Sequence, residues 1–325
     1  MKRQSDDTHA LARAIHKATG RLIPFLCLAY TINFLDRVNV GFAALHMNEA
    51  LGFSPSVYGF GAGIFFLGYI IFEIPSNLAL RRFGARIWLA RIMISWGIVA
   101  CAMALVHSKM SFYVARALLG IAEAGFFPGI ILYLTFWFPA AERARIIALF
   151  IASVPLATVI GGPLSGALLQ MHGFLGFAGW QWLFVIEGIP AIILGVLTLK
   201  ILTDSPDQAY WLTDEEKSAL SSTLEREAKE TEAVGYASMR KALTRPRVLA
   251  LGGLYFLMVT GLYGIGFWMP QVISGFGLGS LAVGFLTAIP YLFAAIAMVL
   301  WGRHSDRTGE RRWHIALPLF LAAAS

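Results

Sequence analysis

The stretch Ala29-Tyr-Thr-Ile-Asn-Phe-Leu-Asp-Arg-Val-Asn-Val-Gly-Phe-Ala-Ala44 places an acid and a base side by side, Asp36 and Arg37, inside an apolar segment. If this segment is a helix that begins at Leu22, Asp36 lies about 21 Å along its axis, within a hydrocarbon layer about 30 Å thick. Each charge buried there costs about 2.5–3.5 kcal/mol. The rest of the chain must therefore supply partners for these two side chains.

The composition indicates a membrane protein. Hydrophobic residues make up 58% of the 325 residues, charged residues 14%, and the mean hydropathy is +0.67. A soluble domain is typically about 25% charged. The net charge of +7 comes from basic residues beside the ends of apolar segments, with no patch interleaved with aromatic residues. This distribution favours membrane topology over nucleic-acid binding.

Apolar runs long enough to cross a bilayer recur along the chain, so the sequence predicts an all-α polytopic membrane protein. The predicted spans are Leu22–Ala44, Val57–Leu80, Ile87–Val106, Ser111–Thr135, Arg145–Gln170, Trp180–Leu202, Val248–Gln271 and Leu281–Trp301, with a ninth beginning near Trp313. They divide the chain into an N-terminal tail (1–21), a six-span half (22–202), a polar linker (203–247) and part of a second half (248–325).

Basic residues occur in alternate loops. They precede the first span, follow spans two, four, six and eight, and are missing from loops 46–56, 170–179 and 272–280, with Lys109 as the one exception. The positive-inside rule therefore predicts a multi-pass membrane protein with a cytoplasmic N-terminus and a cytoplasmic linker.

An internal repeat supports two related halves. Asn77-Leu-Ala-Leu-Arg-Arg-Phe-Gly-Ala-Arg86 follows span two, and Gly302-Arg-His-Ser-Asp-Arg-Thr-Gly-Glu-Arg311 follows span eight. The two segments share glycine and basic positions, and Gly84 and Gly309 suit tight turns. A duplication of six spans is typical of one large class of transporters.

The second copy resembles the loop signature of the major facilitator superfamily, Gly-x-x-x-Asp-Arg-x-Gly-x-Arg. The matching residues are Gly302, Asp306, Arg307, Gly309 and Arg311. The first copy departs from the signature, with Asn77 in place of glycine and Arg81 in place of aspartate. The resemblance implies a major facilitator fold in which this loop takes part in the conformational change.

Three further stretches narrow the resemblance. They are Asn33-Phe-Leu-Asp-Arg-Val-Asn-Val-Gly41, Phe66-Leu-Gly-Tyr-Ile-Ile-Phe-Glu-Ile-Pro-Ser-Asn77 and Arg116-Ala-Leu-Leu-Gly-Ile-Ala-Glu-Ala-Gly-Phe-Phe-Pro128. Together they resemble the anion:cation symporter family, especially its tartrate, phthalate and aromatic-acid permeases. That family has twelve spans and this chain stops inside the ninth, so we expect an incomplete second half.

Span four supplies partners for the first pair of charges. Arg116 and Glu123 are seven residues apart and share one helical face with Gly120. Four such charges facing lipid would cost about 10–14 kcal/mol, so they must face protein or a water-filled cavity. A charge cluster that only locks spans one and four together is the alternative to a functional site.

The functional interpretation divides the roles by chemistry. Arg37 and Arg116 present planar, forked donors that suit a carboxylate substrate, whereas Asp36 and Glu123 can bind and release protons. The family resemblance implies the same positions: an acid–base pair on span one, and an arginine with an acid seven residues later on span four.

Other polar residues of the spans are weaker candidates. Tyr69 resembles the family's substrate-contacting tyrosine but can equally be a buried aromatic; Asn33, one turn from Asp36, can orient the pair. Tyr263 and Gln271 are candidate substrate contacts from span seven. Structural roles are favoured for Glu187 and for the small-residue motif Gly161-Gly-Pro-Leu-Ser-Gly166 of span five, although this motif resembles a Gly-Pro motif of antiporters.

No catalytic or metal-binding pattern is present: there is no zinc-type His/Cys spacing, no phosphate-binding glycine loop and no Gly-x-Ser-x-Gly elbow. Together with the buried charges and the resemblance, the sequence predicts a transporter that imports a small organic carboxylate together with protons. We expect a monomer without cofactors, whose partners are the organic anion, protons and the lipid bilayer. The alternatives are an anion exchanger or facilitator, and a carboxylate sensor that does not transport.

Overall fold

The computed structural model describes residues 2–233 and 244–324, which are helical and contain no strand. The α-helices are α1 (Lys2–Leu51), α2 (Pro55–Phe83), α3 (Ala85–Ala102), α4 (Lys109–Glu123), α5 (Phe126–Thr135), α6 (Ala140–Ile151), α7 (Ser153–Leu169), α8 (Gly179–Ile201), α9 (Asp214–Ala233), α10 (Pro246–Ser274), α11 (Ser280–Thr308) and α12 (Arg312–Ala324).

Eight helical segments are long and apolar enough to cross a membrane. Six are the single helices α1, α2, α3, α8, α10 and α11, and two are the pairs α4–α5 and α6–α7. The predicted all-α architecture and its eight spans are confirmed, and α12 begins at Arg312, beside the predicted start of the ninth span.

Span four is interrupted, because the helix breaks between α4 and α5. Gly125 adopts a left-handed conformation with φ of 85°, which a residue with a side chain adopts only with strain. A Cβ atom at this position would also overlap the Ser76 hydroxyl on α2. The break therefore requires glycine, and it follows Glu123 directly.

Helix α1 crosses the predicted boundary between tail and first span without interruption. The polar segment stays helical because Ala10, Ala14 and Ala18, spaced one turn apart, form a buried stripe. Ala14 and Ala18 belong to the same apolar core as Leu220 of α9. The predicted tail is thus the first part of α1 and packs against the linker helix.

The described part of the linker is docked on the six-span half. The backbone carbonyl of Thr203 accepts hydrogen bonds from Tyr133 (2.9 Å) and Trp137 (3.3 Å), and the Trp137 indole stacks on that of Trp211 with ring centroids 5.4 Å apart. Arg143 pairs with Glu227 at 3.0 Å. Residues 234–243 of the predicted linker lie outside the described ranges.

Each copy of the repeated loop binds a carboxylate, but the two carboxylates come from different parts of the chain. In the second copy, Asp306 pairs with Arg311 at 2.8 Å, and Gly309 ends α11 with φ of 67°. The first copy has Arg81 where the second has an aspartate, and Asp204 of the linker accepts a hydrogen bond from the Arg86 amide at 2.8 Å instead. This carboxylate lies at the N-terminus of α3, where a negative charge is favourable.

Helices α7 and α11 cross closely at the end of the bundle away from the basic loops. A Cβ atom on Gly162 would lie 2.5 Å from the Gly284 carbonyl oxygen, and one on Gly166 would lie 2.6 Å from that of Ser280. Small residues let membrane helices approach to backbone contact, which is the packing interpretation given to Gly161-Gly-Pro-Leu-Ser-Gly166. This crossing joins the six-span half to the second part of the chain.

Replacing Gly162 with alanine is expected to lower the thermal unfolding midpoint of the detergent-solubilised protein. The added methyl group must separate two backbones, and overpacking of this kind costs about 1–3 kcal/mol. Gly63→Ala on α2 is the matched control, because no atom lies within 4 Å of the point that its new methyl group would occupy. Equal midpoints for the two variants would contradict a tight crossing.

Glu216 of α9 holds the first part of α1 through charge. Glu216 is 1% exposed, and its carboxylate accepts hydrogen bonds from Lys17 Nζ at 2.8 Å and from the Thr213 amide at 3.0 Å. A nitrogen of Arg13 lies 3.6 Å from the same carboxylate. Burial raises the pKa of Glu216, but these bonds and the charges of Lys17 and Arg13 outweigh it, so the pKa lies below its ordinary value of 4.5.

A depressed pKa in the folded state means that ionised Glu216 stabilises the protein above the unfolded-state pKa and loses this effect as the pH falls through the folded-state pKa. Glu216→Gln should therefore lower the thermal midpoint at about pH 7 and have little effect at about pH 3. Glu225→Gln, at an exposed position of the same helix, is the control. A Glu216→Gln deficit that persists at the acidic pH would contradict the assignment.

Candidate functional site

Arg37 of α1 is paired with Glu123 at the end of α4, and both belong to the group of charges that the sequence predicts for spans one and four. The two side chains are 8% and 1% exposed, and a guanidinium nitrogen contacts a carboxylate oxygen directly. Glu123 is the last residue of α4, immediately before the break at Ala124 and Gly125. The break therefore fixes where this carboxylate points.

Aromatic rings surround the Arg37 guanidinium. Its central carbon lies 5.0 Å from the ring centroid of Tyr69, 5.3 Å from that of Phe65 and 5.8 Å from that of Tyr263. The Tyr263 hydroxyl also accepts a hydrogen bond from Arg37 Nη1 at 2.6 Å. Because Tyr263 belongs to α10, Arg37 links the six-span half to the second part of the chain. A cation enclosed by ring faces is stabilised where little water is present.

Arg116 of α4 is fully buried beside this group. Its Nε donates to the Gly61 carbonyl at 3.3 Å and its Nη2 to the Ala62 carbonyl at 3.4 Å, and its guanidinium lies 4.9 Å from the Phe65 centroid. Within the described ranges, Nη1 has no hydrogen-bond partner. Arg116 thus keeps a donor available for an anion.

Asp36 is oriented by Asn39 and not by Asn33. The Asn39 amide donates to Asp36 Oδ1 at 3.0 Å, whereas neither amide atom of the fully buried Asn33 has a partner among the described residues. The i,i+3 spacing of Asp36 and Asn39 was the available signal, since residues so spaced are neighbours on a helix. Sequence reasoning missed Asn39, which stands inside the quoted stretch.

The remaining predicted residues lie elsewhere. Gln271 donates to the Phe267 carbonyl of its own helix at 3.2 Å, eight residues beyond Tyr263. The loop residues Gly302, Asp306, Arg307, Gly309 and Arg311 lie at the basic end of α11 or just after it. Among the described residues, no group of three or more His, Cys, Asp or Glu side chains is arranged to hold a metal ion.

The site thus brings together side chains of α1, α2, α4 and α10: a buried arginine paired with an acid, a second arginine with a free donor, and an aromatic surround. A family model described as Major Facilitator Superfamily matches residues 26–325. The chain belongs to this superfamily.

Relatives agree with the predicted anion:cation symporter resemblance. A provisionally named tartrate transporter of Agrobacterium vitis is 57% identical over 96% of this chain and 70% of its own length. The provisionally named metabolite transport protein NicT of Pseudomonas putida is 47% identical over 98% of this chain and 73% of its own.

A solved structure confirms the fold. It is a bacterial homologue of the human lysosomal transporter Spinster in an inward-facing and occupied conformation, 20% identical, with a TM-score of 0.68 over 88% of this chain and 61% of that chain. This chain therefore spans about two thirds of the length of the proteins that it matches.

Removing the Tyr263 hydroxyl should destabilise the contact between α1 and α10. From the strength of hydrogen bonds between membrane helices and to charged groups, Tyr263→Phe should lower the free energy of unfolding by about 1–2 kcal/mol. The measurement is the thermal unfolding midpoint, which should fall. Tyr113→Phe on α4, whose ring packs on Phe60 with centroids 4.9 Å apart, is the control. Indistinguishable midpoints would show that the hydroxyl is not engaged.

Proposed function

We propose that this chain forms the binding site of a secondary active transporter that imports a small organic carboxylate together with protons, by alternating access. The observation that carries the proposal is the buried Arg37–Glu123 ion pair inside an aromatic surround. The names of the relatives support an organic acid as the substrate class.

The ion pair supplies a way to exchange one carboxylate for another. While no substrate is bound, Glu123 is paired with Arg37. Protonation of Glu123 removes the negative charge that holds this ion pair together. A substrate carboxylate can then take the place of Glu123, because a buried guanidinium requires an anionic partner. Substrate anion and proton therefore bind together in this scheme.

The second arginine supports binding of the same substrate. The guanidinium groups of Arg37 and Arg116 both lie close to the Phe65 ring, at 5.3 and 4.9 Å from its centroid. A dicarboxylate can use both, with the free Nη1 of Arg116 as the second donor. Tartrate and phthalate have this shape, so they are the first probes.

The position of Tyr263 links substrate binding to movement of the two parts of the chain. This residue brings α10 to Arg37, so a substrate that rearranges Arg37 also alters the contact between the two parts of the chain. Alternating access by rocking of two halves is the mechanism of many transporters built from repeats.

The proposed location is a bacterial inner membrane, with the basic loops in the cytoplasm. The alternation of basic loops supports this orientation.

We infer no enzymatic activity, since the family and its relatives are transporters. The small-residue motif around Gly162 is explained by helix packing, because Gly162 lies against the backbone of Gly284. The motif therefore does not support the exchanger alternative.

Proteoliposomes of the natural full-length protein test this function. An inward proton gradient should drive accumulation of labelled tartrate or phthalate, and Arg37→Ala or Arg116→Ala should reduce binding by about tenfold or more, since each removes a charge-assisted hydrogen-bond donor. Asp36→Asn with Glu123→Gln should lower the ratio of gradient-driven accumulation to counterflow.

Arg145→Ala is the control, because this arginine is largely exposed at the basic end. Accumulation that is unchanged in the double acid variant would refute the proton role, and unchanged affinity in both arginine variants would refute the carboxylate site. Counterflow without any response to a proton gradient would favour an exchanger or facilitator. Binding without flux would favour a sensor.

A further inference from the structure

A second polar cluster lies next to the Arg37 site and is deeply buried. It consists of Asp36 and Asn39 of α1, Ser165 of α7 and Glu187 of α8, which are 1–2% exposed. The Ser165 hydroxyl donates to Glu187 Oε1 at 2.7 Å, and the Asn39 amide donates to Asp36 Oδ1 at 3.0 Å and also interacts with the Glu187 carboxyl. Asn39 therefore connects two carboxyl groups from different helices.

The unpaired atoms of this cluster are all acceptors. Asp36 Oδ2, Asn39 Oδ1 and Glu187 Oε2 are buried and have no hydrogen-bond partner in the described part of the chain. An ionised carboxylate can only accept. The Trp96 indole N–H interacts with Asp36, so with both acids ionised Asn39 Oδ1 and Glu187 Oε2 remain without a donor among the described residues. A proton on one carboxyl supplies an O–H donor and removes one buried charge.

The surrounding charges also favour a proton on one carboxyl of the cluster. The groups that face the cluster are Arg37 from α1, Trp96 and Cys101 from α3, and Arg116 from α4. Arg37 is paired with Glu123, and Arg116 is the other base that acts on Asp36. The region thus holds three acids and two bases, and Glu187 is the acid for which no base remains.

We propose that Glu187 is a proton-binding carboxyl of the transport cycle and shares one proton with Asp36. The proposal rests on the proposed proton-coupled function and adds a third acid to it. While Glu123 is paired with Arg37, the proton resides as an O–H group of Glu187 and donates to an acceptor of the cluster. When it leaves, it passes to Asp36 or to water, and the carboxylate regains its charge.

The role differs from the structural one that the sequence favours for Glu187. A purely structural carboxyl would serve only to accept from Ser165 and Asn39, which the amide oxygen of glutamine can also do. Glu187→Gln therefore keeps an acceptor for these donors and the shape of the side chain, and removes the ability to exchange a proton. The variant separates the two roles.

The test uses proteoliposomes of the natural full-length protein and labelled tartrate, or labelled phthalate if tartrate is not transported. For Glu187→Gln, the ratio of gradient-driven accumulation to counterflow should fall at least about tenfold, whereas Glu187→Asp should retain most of it. Thr198→Val is the control: Thr198 is a buried residue of α8 whose hydroxyl donates to the Leu194 carbonyl.

Two negative results are distinguishable. If the wild-type protein ignores the proton gradient, the proposed function itself fails, and this inference fails with it. If the wild-type protein responds and Glu187→Gln responds equally, only the role of Glu187 is refuted.

A variant that loses both activities is resolved by infrared difference spectroscopy of substrate binding to the wild-type protein and Glu187→Asp. A band of a protonated carboxyl that changes frequency between these two proteins supports the assignment to Glu187. A band that stays unchanged, or no such band, overturns it.

Discussion

The burial of the Arg37 guanidinium is the constraint on which the arrangement of the site depends. At the depth of a membrane-spanning helix this cation has lost its water, so it needs an anion and a surround that interacts favourably with its charge. Glu123 supplies the anion, and the rings of Phe65, Tyr69 and Tyr263 supply the surround. These partners come from α4, α2 and α10, so one cation fixes the relative positions of four helices.

Close backbone packing makes these polar contacts possible. A Cβ atom on Gly120 of α4 would overlap the Phe65 carbonyl oxygen, so the backbones of α4 and α2 are in direct contact there. Only at this separation can Arg116, one turn earlier on α4, bond the carbonyls of Gly61 and Ala62. The small residue and the arginine therefore act as one unit, in which the packing determines which hydrogen bonds the charge can form.

The sequence predicted the spans and a group of charges shared by spans one and four, because the hydrophobic period is a local property and the costs of buried charges add up. It did not predict that Arg37 pairs with Glu123. It did not reach features that depend on three-dimensional proximity. Asp204 serves the first loop copy, where position 81 is an arginine, across more than a hundred residues of chain. Asn33 and Asn39 are equally close to Asp36 in sequence, and only side-chain direction selects Asn39. The break at Gly125 is a backbone property that a Gly shortly before a Pro can suggest but not locate.

The charge inventory connects these features to transport. Three buried acids and two buried bases carry one net negative charge when all are ionised, and one bound proton makes the region neutral. A bound substrate carboxylate adds a negative charge, which a further proton on Glu123 offsets as the acid gives up Arg37. Under the proposed function, each anionic charge that enters the site is therefore accompanied by a proton, because the low-dielectric surroundings penalise any other state. Coupling then follows from the electrostatics of the whole cluster and needs no separate proton pathway to the substrate.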